Sequence, residues 1–106
     1  MKVLSKAKAI KARDRERILD EIHLMTRLPP SPFLQRCHDA FESPSRIFMI
    51  VDYIAMGDLF SHLATRLERN QAGFTEDEAR ILLAEVALGL EHLHSHGYVH
   101  RDIKVL

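Results

Sequence analysis

The sequence predicts an α+β fold in which a small antiparallel sheet with one helix is followed by further helices. Three observations carry this prediction. A stripe of apolar residues at helical spacing ends at a proline cluster, two apolar runs are joined by a short turn-rich link, and a long amphipathic segment begins with a helix-capping pattern. At 106 residues the chain has room for one small domain.

The first half of the chain predicts three strands and one helix. A short apolar patch at residues 1–6 predicts the first strand, and two apolar runs near residues 33–41 and 46–53 predict an antiparallel hairpin. Between them, good helix formers from Ala7 onward lead into an apolar stripe at i, i+4 and i+7, and Pro29 ends the helix. The stripe consists of Ile18, Ile22, Met25 and Leu28.

The second half predicts two helices separated by a polar loop. The first covers Leu59–Leu67, and residues 66–73 form the loop. The second begins at Thr75, an N-cap whose capping-box partner is Glu78, and Gly97 is a suitable C-terminal stop. Its apolar stripe consists of Ala79, Leu82, Leu83, Val86, Leu90 and Leu93.

Composition excludes several classes of protein. The 15 basic and 15 acidic residues balance, so the net charge gives no indication of a nucleic-acid partner. The sequence has no run of 18 apolar residues that would predict a membrane span, and its N-terminus lacks the apolar stretch of a signal peptide. The single cysteine, Cys37, excludes an internal disulfide, and we expect a buried structural thiol in an intracellular, cytoplasmic protein.

The segment Tyr98-Val99-His100-Arg101-Asp102-Ile103-Lys104 carries the strongest functional signal. It resembles the His-Arg-Asp catalytic loop of the protein kinases. The resemblance implies that Asp102 accepts or orients the substrate hydroxyl and that Lys104 lies near the transferred phosphate, with Arg101 completing the catalytic loop. A lysine two residues after the aspartate is the serine/threonine kinase pattern.

The N-terminal segment Met1-Lys2-Val3-Leu4 is similar to the third strand of the kinase sheet, whose lysine holds the α- and β-phosphates of ATP. That lysine pairs with a glutamate on the following helix, and Glu21 stands 19 residues after Lys2. Taken without the catalytic loop, both residues would be read as solvated surface charges.

The run from Ile47 to Leu63 resembles the kinase hinge. The resemblance implies that Val51 is the gatekeeper, that the Asp52 carbonyl and the Ile54 N–H bond the adenine edge, and that Asp58 lies near the ribose. A helix N-cap is the competing interpretation of Asp58. On this basis residues 1–53 belong to the N-lobe, 54–58 to the hinge and 59–106 to the start of the C-lobe.

We therefore identify the chain as similar to an AGC-like protein serine/threonine kinase domain of the cyclic-AMP-dependent group. The family transfers a phosphoryl group from ATP with Mg²⁺ to a protein Ser or Thr. No residues match the glycine-rich loop, the metal-holding asparagine or the Asp-Phe-Gly motif, so we expect a kinase domain truncated at both ends and inactive alone. The alternative is a non-catalytic, kinase-derived interaction or decoy protein.

We expect the chain to supply no metal ligands. His92 and His96 could share a helix face, but the sequence offers no third ligand in a zinc-binding pattern.

Overall fold

The computed structural model of the chain describes residues 1–7 and 12–104, which divide into two compact units after Tyr53. In the first unit the elements are β1 (Lys2–Ser5), α1 (Ala12–Arg27), β2 (Cys37–Glu42) and β3 (Arg46–Val51). In the second they are α2 (Leu59–Glu68) and α3 (Glu76–Ser95). The predicted α+β class is confirmed. None of the described helices combines the length and apolar character needed to cross a membrane.

The sheet has the order β1-β3-β2, and β3 pairs antiparallel with both neighbours. The continuously apolar β3 takes the central position, and such a run is typical of a strand that is covered on both faces. Its residues Ile47 and Met49 are buried together with Cys37 of β2, which makes this the core of the first unit. The burial predicted for the cysteine is confirmed.

β2 begins at Cys37, so the prediction of a strand from residue 33 is wrong at its start. The Phe33 N–H donates to the Ser31 hydroxyl at 3.2 Å, and the Leu34 N–H donates to the Ser31 carbonyl at 3.2 Å. These bonds fold residues 31–34 into a turn, because a serine hydroxyl can satisfy a nearby backbone donor that a strand would otherwise use.

α1 contacts β2, and its half-buried residues include the predicted stripe. The last bond of the helical ladder runs from the Leu28 N–H to the Leu24 carbonyl at 3.0 Å, immediately before Pro29. Proline ends the helix there because it has no N–H to donate. The prediction that the helix begins at Ala7 is wrong for that residue, which lies in a turn, and residues 8–11 lie outside the described residues.

In the second unit, α3 begins as predicted. The Thr75 side chain accepts from the Glu78 N–H and the Glu78 carboxylate accepts from the Thr75 N–H. At the other end Gly97 has φ +82° and the Tyr98 N–H reaches back to the Leu93 carbonyl at 3.0 Å, which completes a Schellman motif. The predicted apolar stripe is only partly buried, since Leu83 is exposed whereas Leu93 is buried.

The loop predicted over residues 66–73 begins too early, because α2 continues through Glu68. The Arg66 guanidinium donates to both Glu78 carboxylate oxygens, at 2.9 and 2.6 Å, and to the Gly73 carbonyl at 3.2 Å. A bidentate arginine–carboxylate pair of this kind joins the last turn of α2 to the first turn of α3.

Candidate functional site

The register of the sheet places Lys2 and Val51 on one face. Lys2 pairs with Met49, and paired residues in an antiparallel sheet point to the same side. Val51 lies two residues beyond Met49 on β3 and shares that side, because side chains alternate along a strand. The Lys2 side chain is exposed and Val51 is half-buried.

Glu21 is exposed on α1, and within residues 1–7 and 12–104 no ion pair joins it to Lys2. The acidic partner near this strand is Glu42, whose carboxylate lies 2.7 Å from the Lys6 Nζ and 3.5 Å from the Arg15 Nη2. The hydrogen bond from Lys6 is the main reason that the pKa of Glu42 lies below its ordinary value. The pairing of Lys2 with Glu21 therefore stays a prediction.

Asp52 directly follows β3 and is held by residues 35–38, which include the first two residues of β2. Its N–H donates to the Arg36 carbonyl at 3.1 Å, and the Arg36 N–H donates to its Oδ2 at 2.8 Å. Its Oδ1 lies 2.6 Å from the His38 Nε2, and its carbonyl oxygen accepts from the Gln35 Nε2 at 3.1 Å. The bonds from the Arg36 N–H and the His38 ring lower the pKa of the Asp52 carboxyl.

The two hinge residues of the second unit differ in their surroundings. Ile54 is largely exposed and belongs to the irregular segment that precedes α2. Asp58 is the N-cap of α2, and its Oδ1 accepts from the Ser61 N–H at 2.7 Å. This bond lowers the pKa of Asp58. The N-cap interpretation is confirmed, and a contact of Asp58 with ribose stays a prediction.

The residues of the catalytic-loop motif follow the Schellman motif that ends α3. The Lys104 Nζ lies 3.0 Å from the Asp102 Oδ2, and both side chains are exposed. The Asp102 N–H donates to the His100 Nδ1 at 3.2 Å, which requires the imidazole proton of a neutral ring to sit on Nε2. Arg101 has φ +64°, a left-handed conformation that non-glycine residues adopt mainly where the surrounding structure imposes it.

The structure thus brings Asp102 and Lys104 together and places Lys2 and Val51 on one face. It adds a cluster that sequence reasoning did not anticipate, formed by Gln35, Arg36 and His38 around Asp52. Among the described residues no three His, Cys, Asp or Glu side chains are grouped so that they could hold a metal ion.

Comparison with known proteins gives one family match, to the protein kinase domain, over residues 1–105. The chain is 41% identical over 110 residues to ribosomal protein S6 kinase 2 beta of Xenopus laevis and 40% identical over 104 residues to ribosomal protein S6 kinase alpha-1 of Homo sapiens. It is also 40% identical over 104 residues to ribosomal protein S6 kinase 2 alpha of Gallus gallus. Each alignment covers 98% of this chain but only 13–15% of the relative, so the chain spans about one seventh of their length.

Proposed function

Because this chain belongs to the protein kinase domain family, we propose that it carries the ATP-anchoring and catalytic-loop residues of an AGC-type protein serine/threonine kinase. The observation that carries the proposal is the contact between Asp102 and Lys104 at 3.0 Å in the His-Arg-Asp loop. It sets a carboxylate that can receive a hydroxyl hydrogen beside a cation that can neutralise phosphate charge. Phosphoryl transfer depends mainly on such positioning and charge stabilisation.

The proposed reaction moves the γ-phosphoryl group of ATP to a Ser or Thr hydroxyl of a protein substrate. The hydroxyl donates its hydrogen to the Asp102 carboxylate while its oxygen forms a bond to the γ-phosphorus. The bond from that phosphorus to the β–γ bridging oxygen breaks, and ADP leaves with the electron pair. Lys104 stabilises the negative charge on the equatorial phosphoryl oxygens.

On this proposal, ATP is anchored by the residues that match the family's nucleotide-binding positions. Lys2 binds the α- and β-phosphates and Glu21 orients Lys2, as in the family. Asp52 and Ile54 bond the adenine edge through their backbone, and the Val51 side chain bounds the adenine site. These groups are an ammonium, a backbone carbonyl that keeps a second lone pair, and a backbone N–H, and they suit the phosphates and the adenine edge of a nucleotide.

The family uses magnesium together with ATP, and a bound magnesium ion would supply positive charge that neutralises the phosphates. The described residues do not group into a metal-ligand set, so they do not fit a resident metal ion. We propose that Asp58 lies near the ribose, where its carboxylate can accept from a ribose hydroxyl in addition to the Ser61 N–H. The single free, buried Cys37 agrees with an intracellular location.

The proposal is tested in a chimaera in which this chain replaces the 104-residue segment it aligns with in human ribosomal protein S6 kinase alpha-1. We expect ATP-dependent phosphorylation of a Ser/Thr peptide that falls by about 100-fold or more with Asp102→Asn, the usual effect of losing an acid–base group. Asp77→Asn is the matched control, because that carboxylate is 88% exposed in the first turn of α3 and has no proposed role.

An inactive chimaera beside an active parent, or equal rates for Asp102→Asn and Asp77→Asn, would contradict the proposal. Lys2→Met should raise the KM for ATP or abolish activity. Glu21→Gln should raise the KM for ATP or lower the activity to a smaller extent. Asp20→Asn, which alters the neighbouring exposed carboxylate on α1, should change neither the KM for ATP nor the activity.

A further inference from the structure

Four hydrogen bonds join Asp52 to residues 35–38, three of them accepted by Asp52 and one donated by its N–H. Two involve the backbone of Arg36, one the side chain of Gln35 and one the ring of His38. An ionised carboxylate only accepts, so the His38 Nε2 must be the donor in the 2.6 Å contact. Both oxygens of the carboxylate and the carbonyl oxygen of Asp52 therefore have donors in the first unit alone.

A β-bulge brings His38 to Asp52. In the β2–β3 ladder Cys37 pairs with Val51 and Asp39 pairs with Ile50, which leaves His38 as the extra residue between them. A bulge breaks the regular alternation of side chains and re-aims the residue that it inserts. The ring of His38 is thereby freed from the sheet faces and reaches past the end of β3 to the Asp52 side chain.

The carbonyl group of Asp52 is in a different situation from its N–H. The N–H is fixed by the Arg36 carbonyl, but the carbonyl belongs to the next peptide unit, which lies beyond the last residue of β3. In the described residues its donor is the Gln35 amide at 3.1 Å. A carbonyl oxygen has two lone pairs, so one remains for a second donor from a ligand.

We propose that Gln35 and His38 are positioning residues that hold the Asp52 peptide so that its carbonyl presents one lone pair to the 6-amino group of adenine. His38 fixes the Asp52 side chain, and Gln35 fixes the direction of the carbonyl group itself. This inference rests on the proposed binding of ATP at Asp52 and goes beyond it, because it makes the direction of the Asp52 carbonyl depend on two side chains outside the hinge.

The test compares two nucleotides on the full 106-residue chain, by NMR of the ¹⁵N-labelled protein, a method that detects weak as well as tight binding. One is ATP, and the other is purine riboside triphosphate, which has the same ring and phosphates but no 6-amino group. Gln35→Glu keeps the size of the side chain and removes the donor. Gln71→Glu is the matched control, because that glutamine is also exposed and lies in the second unit.

We expect Gln35→Glu to weaken ATP binding by about three- to ten-fold, the range of one hydrogen bond, and to leave the affinity for purine riboside triphosphate unchanged. His38→Ala should act in the same direction and His94→Ala, an exposed ring on α3, should not. Comparison with the second nucleotide removes any general effect of the added charge or of lost stability, since both nucleotides carry the same phosphates.

If Gln35→Glu lowers the affinity for both nucleotides equally, Gln35 acts only on the fold. If the variant binds ATP more tightly, the glutamine competes with adenine for the Asp52 carbonyl. Either result overturns the inference while leaving ATP binding intact. Binding of neither nucleotide by the unaltered chain would instead contradict the proposed function, and the inference would fall with it.

Discussion

Truncation of Met49 to alanine should remove a large share of the stability of the first unit. The side chain is only 1% exposed, at the centre of the sheet, where Ile47 and Cys37 are buried beside it. Met→Ala at a buried position costs about 2–5 kcal/mol through lost transfer energy and the cavity that remains. A small domain has a total margin of about 5–15 kcal/mol, so the change removes a large share of it.

Amide hydrogen exchange along β3 measures this loss directly. At about 1.36 kcal/mol for each factor of ten, protection should fall by about 30-fold at least and by several thousand-fold at most. Met56→Ala deletes the same atoms from a side chain that is 75% exposed and should leave protection within about two-fold, as surface changes usually do. Met49→Leu, which conserves volume, should fall between the two.

Equal exchange rates in Met49→Ala and Met56→Ala would refute the assignment of the core to the central strand. The same conclusion would follow if β3 amides in the unaltered chain exchanged as fast as those of an unfolded peptide. In either case the three-stranded sheet would not be the stable element of the first unit.

The remaining predictions concern the ends of α3. Thr75→Ala should lower the stability of this helix by about 1 kcal/mol, seen as lost ellipticity at 222 nm on heating, and Thr75→Ser should not. The Arg66 hydrogen bonds hold the pKa of Glu78 at about 2, below its ordinary 4.5, so its stabilising contribution is complete above pH 4.5 and disappears as the pH falls towards 2. Glu78→Gln should therefore flatten the acid unfolding curve of α3 in that window, whereas Glu76→Gln, at an exposed position, should leave the curve unchanged. Gly97→Ala should destabilise the helix end by about 1–2 kcal/mol because φ is +82°, and Gly97→Asn should be better tolerated.

The local signals in the sequence predicted the helix boundaries well where a side chain caps the backbone of its own helix. The capping box at Thr75 and Glu78 and the stop at Gly97 depend on residues close in sequence, so the pattern alone was sufficient. The boundary of α2 was missed for the opposite reason. Arg66 is polar and therefore predicts the start of a loop. Its partner Glu78 lies 12 positions away, so the local sequence does not reveal their contact.

In the sheet, the sequence predicts the strands but neither the start of β2 nor its bulge. The apolar pattern predicted three antiparallel strands, and the structure confirms them. The apolar residues 33 and 34 predict a strand, but the Ser31 hydroxyl accepts from the Phe33 N–H and β2 begins only at Cys37. A bulge changes pairing without changing composition, so the contact of His38 with Asp52 left no signal in the sequence.

The bulge also makes this strand unusually tolerant of losing a residue. A deletion inside a strand normally slips the register and turns every later side chain to the opposite face. Here His38 is the one unmatched residue, so its removal would make Cys37 and Asp39 consecutive partners of Val51 and Ile50 in a regular ladder. The buried cysteine would remain in the core, and of the four hydrogen bonds at Asp52 the one from His38 would be lost. A chain that lacks His38 should therefore keep its three-stranded sheet and change only how the segment after β3 is held. The number of residues in β2 can then change without a change of fold.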